Sequence, residues 1–153
     1  MSPVEIESLR RALRGEVRSV GGLTVIVDCY NANPQSVAAA LRTLAGMRTG
    51  GERVAVLGSM LELGARSDAL HRESLSNALK GSVDRFLVTG AFAEASRGLP
   101  DPRVEVFETV ADLAEALPGE VRETDAVLLK ASRGVRLEQV LPRLEQAFGR
   151  GGV

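Results

Sequence analysis

Short apolar runs with strand character alternate with segments of helical periodicity along most of the chain, from about residue 23 to residue 148. The run over residues 23–28, LTVIVD, is almost wholly apolar, which is typical of a central strand covered on both faces. Strands that alternate with helices predict a mostly parallel sheet with helices on both of its faces. Further strands are predicted at 53–57, 85–89, 104–107 and 126–130.

The start of this pattern predicts a hairpin. Two β-rich runs flank Gly21 and Gly22, so the sheet should gain one antiparallel edge strand. The predicted fold class is therefore α/β, with a Rossmann-like, mostly parallel sheet and one antiparallel edge strand. Residues 1–13 form a predicted amphipathic segment, a linker or the tail of a preceding domain, and residues 14–153 form one domain.

The predicted helices have recognisable ends. Asn33 is a good N-cap and Pro34 suits a first helical position. Another helix is expected from Thr109 to the Pro118-Gly119 pair, where such residues usually end a helix. The remaining predicted helices cover about 68–80, 91–97 and 135–148, the last with a disturbance at Pro142.

Composition excludes several function classes. The net charge is −1 and aromatic residues make up 3% of the chain, which gives no footprint for nucleic acid or for an anionic membrane. One cysteine and one histidine exclude an internal disulfide and a multi-histidine metal site. No apolar run approaches the roughly 20 residues of a membrane span, and the N-terminus has no signal-peptide core, so a cytoplasmic location is expected.

Three unusual segments directly follow three predicted strands. They are DCYNANP (28–34), GSMLELG (58–64) and KASRG (130–134). The carboxyl ends of parallel strands meet at one edge of a sheet, and open α/β sheets bind ligands there. The sequence therefore predicts one shared site.

The first segment suits a nucleotide. The carboxylate of Asp28 can accept hydrogen bonds from sugar hydroxyls, the Tyr30 ring can lie against a base, and the amides of Asn31 and Asn33 can match a base edge. Each residue also has a structural interpretation, because Asp28 and Asn31 can satisfy loop backbone and Asn33 can cap a helix. The whole string favours a ligand, since a helix cap needs only one polar residue.

These segments resemble the Mur ligases that add D-alanyl-D-alanine. DCYNANPQSVAAALRTL is similar to the family's Asp-Ser-Tyr-Asn-Ala-Asn-Pro motif. RVAVLGSMLELGARSDALH is similar to its Val-Leu-Gly-Asp-Met-Leu-Glu-Leu-Gly signature, which is followed by Ser-Glu and a histidine, here Ser67, Asp68 and His71. LLKASRGVRLEQVL resembles the Val-Lys-Gly-Ser-Arg segment and the final helix, and RGEV resembles the Gly-Arg-x-Glu entry to the domain. The resemblance runs from about residue 14 to the end of the chain.

The resemblance implies the C-terminal domain of an ATP-dependent ligase of peptidoglycan synthesis, which adds D-alanyl-D-alanine to UDP-N-acetylmuramoyl-tripeptide. ATP is then a cosubstrate, and Mg²⁺ is expected in the full enzyme, bound mainly outside this chain. An arginine near the incoming dipeptide would suit its carboxylate through a two-pronged contact. The residues implied to face the nucleotide are Arg14, Asp28, Tyr30, Asn31 and Asn33, and those implied to lie near the dipeptide are Lys130, Ser132 and Arg133.

Several positions depart from the family pattern or have a simpler interpretation. Ser59 stands where the family usually has Asp, which removes a charge. His71 is interpreted as a histidine on a helix face, Cys29 as a small apolar filler, and Ser132 as a possible N-cap of the last helix. Milder departures are Leu13, Cys29, Asp68 and Ala131.

The chain contains neither a G-x-x-x-x-G-K-[ST] phosphate loop nor a G-x-G-x-x-G fingerprint. The isolated chain is therefore expected to be inactive, with the phosphate loop and the metal ligands N-terminal to Met1. The alternatives are a free-standing, non-catalytic α/β module that binds a nucleotide or a partner, and a domain of an unrelated α/β transferase. An upstream phosphate loop in the reading frame would favour the ligase, and a frame that starts at Met1 would favour the binding module.

Overall fold

The computed structural model describes residues 16–149, and these form one six-stranded sheet in the order β1-β2-β6-β3-β4-β5. The predicted segment 1–13 and Arg14 lie outside the described residues. β1 pairs antiparallel with β2, and every other neighbouring pair is parallel. This confirms the predicted sheet. The strands are β1 (Glu16–Val20), β2 (Leu23–Asp28), β3 (Arg53–Leu57), β4 (Arg85–Thr89), β5 (Val104–Phe107) and β6 (Ala126–Lys130).

Helices cover both faces of the sheet, as predicted. They are α1 (Pro34–Ala45), α2 (Ser67–Leu79), α3 (Ala91–Ser96), α4 (Val110–Glu120) and α5 (Leu141–Phe148). On one face of the sheet, a buried cluster joins α1, α2 and α3 to strand residues such as Leu128. On the other face, a second cluster joins α4 and α5 to strand residues such as Leu129. None of the helices within residues 16–149 combines the length and the apolar character that a membrane crossing needs.

Strand β6 lies between β2 and β3, and all five of its residues are buried. Its last residue, Lys130, is in register with Asp28 on one side and with Leu57 on the other. The central position explains the apolar character of the strand, because neither face meets water. It also brings the carboxyl ends of β2, β6 and β3 side by side.

Two predicted helix starts are confirmed. The Asn33 side chain accepts a hydrogen bond from the Ser36 amide at 2.8 Å, and the Ser36 hydroxyl accepts one from the Asn33 amide at 3.0 Å, which forms a capping box. Thr109 caps α4 by accepting from the Asp112 amide at 3.0 Å. The predicted end of α4 was wrong, since the helix continues through Pro118 to Glu120. A proline so close to the C-terminal end of the helix removes only one amide donor and leaves the turns before it intact.

The prediction of one helix over residues 135–148 was also wrong. Two 3₁₀ turns, Arg133–Val135 and Leu137–Val140, precede α5. They are separated by Arg136, whose φ of 58° is left-handed and cannot continue a right-handed helix. Pro142 lies in the first turn of α5, where its missing amide hydrogen costs nothing.

Truncation of the central strand tests this architecture. We expect Leu128→Ala to lower the free energy of unfolding by about 2–5 kcal/mol, because the side chain is fully buried and its loss leaves a cavity. Val106→Ala is the matched control, since this residue lies on edge strand β5 with 51% of its surface exposed, and it should change stability by no more than about 0.5 kcal/mol. Urea unfolding measures both, and equal losses would contradict the arrangement.

Candidate functional site

The three unusual segments meet at one edge of the sheet, as predicted; we call residues 28–34, 58–64 and 130–134 together the rim. The Ser132 amide donates to the Ser59 carbonyl at 3.1 Å, and the Leu61 amide donates to the Ser132 hydroxyl at 2.8 Å. The same hydroxyl lies 3.5 Å from the Ala32 carbonyl. One serine thus links all three segments.

A buried ion pair lies beneath the rim. The Lys130 ammonium is 2.9 Å from an Asp28 carboxylate oxygen, and the two side chains are only 2% and 7% exposed. The ammonium also donates to the Asn31 carbonyl at 2.7 Å. Both charges are therefore used inside the protein, where they join the ends of β2 and β6 and hold the backbone of Asn31.

Other predicted site residues lie on the open side of the rim. Tyr30 is 57% exposed, and Asn31 and Arg133 are also exposed. The side chain of Asn33 is half-buried, and its oxygen is engaged in the capping box of α1. The rim thus presents an aromatic ring, an amide and a guanidinium, while Asp28 and Lys130 support them from within.

Ser132 is 8% exposed and does not cap the last helix. It occupies the N-cap position of the turn Arg133–Val135, but its side chain makes no capping bond. The prediction of a helix cap was wrong, because the hydroxyl is already engaged by the Leu61 amide and no regular helix begins there. Its structural role is to hold the 58–64 loop against the loop that follows β6.

Three consecutive residues of the 58–64 loop are held by three different parts of the chain. The Ser59 hydroxyl accepts from the Ala91 amide at the start of α3 at 2.8 Å, and the Met60 amide donates to His71 Nε2 on α2 at 2.9 Å. Leu61 is held by Ser132, as described above. His71 ends the second motif, in the same stretch as the 58–64 loop, but the motif does not reveal which group the ring contacts.

His71 is fully buried, so its interpretation as an ordinary residue of a helix face was incomplete. Its Nδ1 lies 2.8 Å from the Ser67 carbonyl, and its ring meets the Phe92 ring edge-on with centroids 4.7 Å apart. Burial lowers the pKa of the imidazole, which favours the neutral form. A neutral ring that accepts at Nε2 carries its proton on Nδ1, from which it donates to Ser67.

Ser59 fills a tight corner where the family usually has an aspartate. Gly90, with φ of 64°, lies beside it, and a Cβ atom on that glycine would come within 2.3 Å of the Ser59 hydroxyl. The backbone angle therefore favours glycine at position 90, and a Cβ there would displace the Ser59 hydroxyl from the Ala91 amide. The serine supplies the hydrogen-bond acceptor for Ala91 without a charge.

Cys29 packs behind the rim. Its Sγ lies 3.6 Å from the Leu129 carbonyl, and burial raises the pKa of the thiol to about 12. The thiol thus stays protonated near neutral pH and serves packing, as predicted. Within residues 16–149 no three histidine, cysteine, aspartate or glutamate side chains are grouped as metal ligands would be.

The sequence matches the family model of the Mur ligase, glutamate ligase domain, over residues 13–133. It is 32% identical over 149 residues to the UDP-N-acetylmuramoyl-tripeptide–D-alanyl-D-alanine ligase of Bacillus subtilis, covering 94% of this chain and 32% of that relative. It is 37% identical over 129 residues to the ligase of the same name from Treponema pallidum, covering 81% of this chain and 28% of that relative. The chain thus spans less than a third of the length of these curated relatives.

Solved structures show the same fold. MurF from Acinetobacter baumannii superimposes with a TM-score of 0.78 at 26% identity, covering 87% of this chain and 30% of that one. MurF ligase from Thermotoga maritima in complex with ADP superimposes with a TM-score of 0.71 at 31% identity, covering 88% of this chain and 31% of that one.

The buried ion pair generates a test of stability. We expect Lys130→Met to lower the free energy of unfolding by about 3–5 kcal/mol, because it leaves the Asp28 carboxylate buried without its partner. The double variant Asp28→Asn with Lys130→Met removes both charges and should recover part of this loss. Lys80→Met is the control, since Lys80 is the chain's other lysine and is exposed. Urea unfolding of the parent and the three variants measures these differences in stability. A Lys130→Met variant as stable as Lys80→Met would contradict the stabilising role of the ion pair.

Proposed function

The chain belongs to the Mur ligase family, and we propose that it serves as the C-terminal domain of an ATP-dependent ligase that adds D-alanyl-D-alanine to UDP-N-acetylmuramoyl-tripeptide. The observation that carries the proposal is the convergence of the three motif segments on one rim. The names of the full-length relatives from Bacillus subtilis and Treponema pallidum support the choice of substrates.

We assign the adenosine side of ATP to the part of the rim that follows β2. The exposed ring of Tyr30 offers a face for a base, and the exposed amide of Asn31 offers a donor and an acceptor. The complex of the Thermotoga maritima MurF ligase with ADP supports an adenine nucleotide as a ligand of the full enzyme. Asn33 and Arg14 complete the proposed set, while Asp28 contributes through its buried contact with Lys130.

We assign the incoming dipeptide to the part of the rim that follows β6. The exposed guanidinium of Arg133 suits a carboxylate, which it can bind through two parallel hydrogen bonds. Ser132 fixes the backbone beside it through the Leu61 amide, and Lys130 fixes the strand end beneath it. The two assigned subsites thus share one hydrogen-bonded frame.

The proposed reaction needs both subsites at once. ATP phosphorylates the tripeptide carboxylate, and the dipeptide amine then attacks the acyl phosphate, so that an amide forms and phosphate leaves. This chain's part is to bind and orient the two partners, a contribution that can lower a barrier substantially. Mg²⁺ would neutralise phosphate charge, and no residue of the range 16–149 is assigned to it.

Substitutions at the β2 end test the nucleotide assignment in the ligase that contains this chain. We expect Asn31→Ala to raise the KM for ATP more than the KM for the dipeptide, because it removes the exposed amide. Asn33→Ser keeps an N-cap oxygen and removes the amide nitrogen, so it should also raise the KM for ATP with little loss of stability. Ser36→Ala is the control that weakens the capping box from its other side and leaves the amide in place. Steady-state kinetics that leave KM and kcat for ATP unchanged in both asparagine variants would refute the assignment.

The isolated 153-residue chain should show no ligase activity and should bind ATP at about millimolar affinity or more weakly. A few hydrogen bonds, each worth roughly 0.5–1.5 kcal/mol, must offset several kcal/mol of association cost. Titration of ATP into the ¹⁵N-labelled chain should give weak shifts at residues 28–34 and near residue 14. Micromolar affinity without turnover would favour the free-standing nucleotide-binding module, and turnover by the chain alone would indicate a self-sufficient enzyme.

A further inference from the structure

We propose that His71 is a positioning residue of the rim, which holds the 58–64 loop in its binding-competent form only as a neutral imidazole with the proton on Nδ1. The inference deepens the proposed function, on which its enzymatic consequence rests. The claim that His71 holds the 58–64 loop rests only on the contacts of His71. It adds to the site a residue that touches neither proposed ligand.

The hydrogen bonds of the ring fix its protonation state. Nε2 lies 2.9 Å from the Met60 nitrogen, a donor, so Nε2 must act as an acceptor. Nδ1 lies 2.8 Å from the Ser67 carbonyl, an acceptor, so Nδ1 must carry the proton. The Ser67 hydroxyl, 3.3 Å from Nδ1, can accept from the same proton. Only one of the two neutral tautomers satisfies both main contacts.

The Met60 amide transmits the position of His71 to the rim. Met60 is fully enclosed, and the next residue, Leu61, donates its amide to Ser132. Ser132 directly precedes Arg133, the residue assigned to the dipeptide carboxylate. A shift of Met60 therefore moves the partner of Ser132 and the backbone that presents Arg133. Through the Ser132 hydroxyl, the contact also reaches the Ala32 carbonyl in the first segment.

Protonation of His71 would break this contact. An imidazolium has a proton on both nitrogens, so Nε2 would face the Met60 amide as a second donor. Among the described residues, the charge that acts on the ring is Asp68 on its own helix, which favours protonation but less strongly than burial opposes it. The 58–64 loop contributes the Met60 amide, and α3 contributes the uncharged Phe92 edge.

The direction of the pH effect follows from the lowered pKa of the buried imidazole. The folded protein keeps His71 neutral at pH values where the unfolded chain, with a histidine pKa of about 6.5, already binds a proton. The stability that His71 contributes is therefore complete above about pH 6.5 and is lost as the pH falls toward the folded pKa. Loosening of the loop should follow the folded pKa itself.

The first test uses the 153-residue chain. At pH 7.5, ¹⁵N spectra of the imidazole should show the neutral ring with its proton on Nδ1; the other tautomer, or a charged ring, would overturn the proposal. His71→Gln supplies an amide oxygen near the position of Nε2, and His71→Leu does not. We expect His71→Leu to shift the amide resonances of Met60, Leu61 and Ser132, and His71→Gln to leave them close to those of the parent.

Leu75→Val is the matched control for destabilisation. Leu75 is fully buried on the same helix, one turn from His71, and makes no hydrogen bond to the rim with its side chain. It should lower stability without shifting the amide resonances of Leu61 and Ser132. Equal shifts at these amides in Leu75→Val and His71→Leu would show a merely structural histidine and would overturn the proposal.

The second test uses the ligase that contains this chain. At pH 7.5, His71→Leu should raise the KM for the dipeptide about tenfold, with a smaller change in kcat. A tenfold change corresponds to about 1.4 kcal/mol. Protonation of the attacking amine lowers kcat/KM for the dipeptide in every variant. The parent should show a further fall at the folded pKa of His71, below about pH 6.5, and His71→Gln should lack this further fall. Asp68→Asn should move the further fall to lower pH, because it removes the charge that favours protonation.

A pH profile of His71→Gln that coincides with that of the parent would overturn the proposal, as would a further fall that does not move in Asp68→Asn. Absence of ligase activity in the parent protein would instead refute the proposed function, and the tautomer and amide resonances of the isolated chain would still decide the role of His71.

Discussion

The geometry of the rim depends on the ion pair between Lys130 and Asp28. Removing two charges from water is costly, and the cost is offset only when both groups are well paired. The pair forms because Lys130 and Asp28 are in register at the ends of neighbouring strands, and a slip of one residue would turn one side chain to the opposite face of the sheet. The third contact, from the ammonium to the Asn31 carbonyl, extends this constraint from the sheet into the loop.

The rim depends on two kinds of residue: buried ones that support its backbone, and exposed ones that present their side chains to the solvent. Asp28, Lys130, Ser132 and His71 are buried and use their polar atoms on other parts of the chain. Tyr30, Asn31 and Arg133 are exposed and keep polar or aromatic surface toward the solvent. A binding site built in this way gains its precision from packed elements, although the groups that face the ligand lie on loops.

The fold and the shared edge of the three segments could be predicted from the sequence, because strand–helix alternation and strand ends are local patterns. The partnership of Lys130 with Asp28 could not, since the two residues are 102 positions apart and side-chain direction depends on register. The break before α5 gave no signal either, because a left-handed residue is usually glycine and Arg136 is not. The contact of His71 with the rim could not be predicted for a similar reason. The second motif includes the residue and its spacing indicates a helix face, but the Met60 amide that it holds belongs to a loop whose path only the fold defines.

The sheet ends at β5, and this edge has its own consequence. An edge strand exposes unpaired amide and carbonyl groups that can recruit a strand from another molecule, the first step of aggregation. β5 offers only four residues, and one of them, Glu105, carries a charge beside Arg85. So short and charged a template is a poor one for intermolecular pairing, although Val106 is half exposed there. The β5 edge lies four strands away from β2, whose end is assigned to the nucleotide, so a substitution at this edge can change the tendency to aggregate without altering the nucleotide side of the rim.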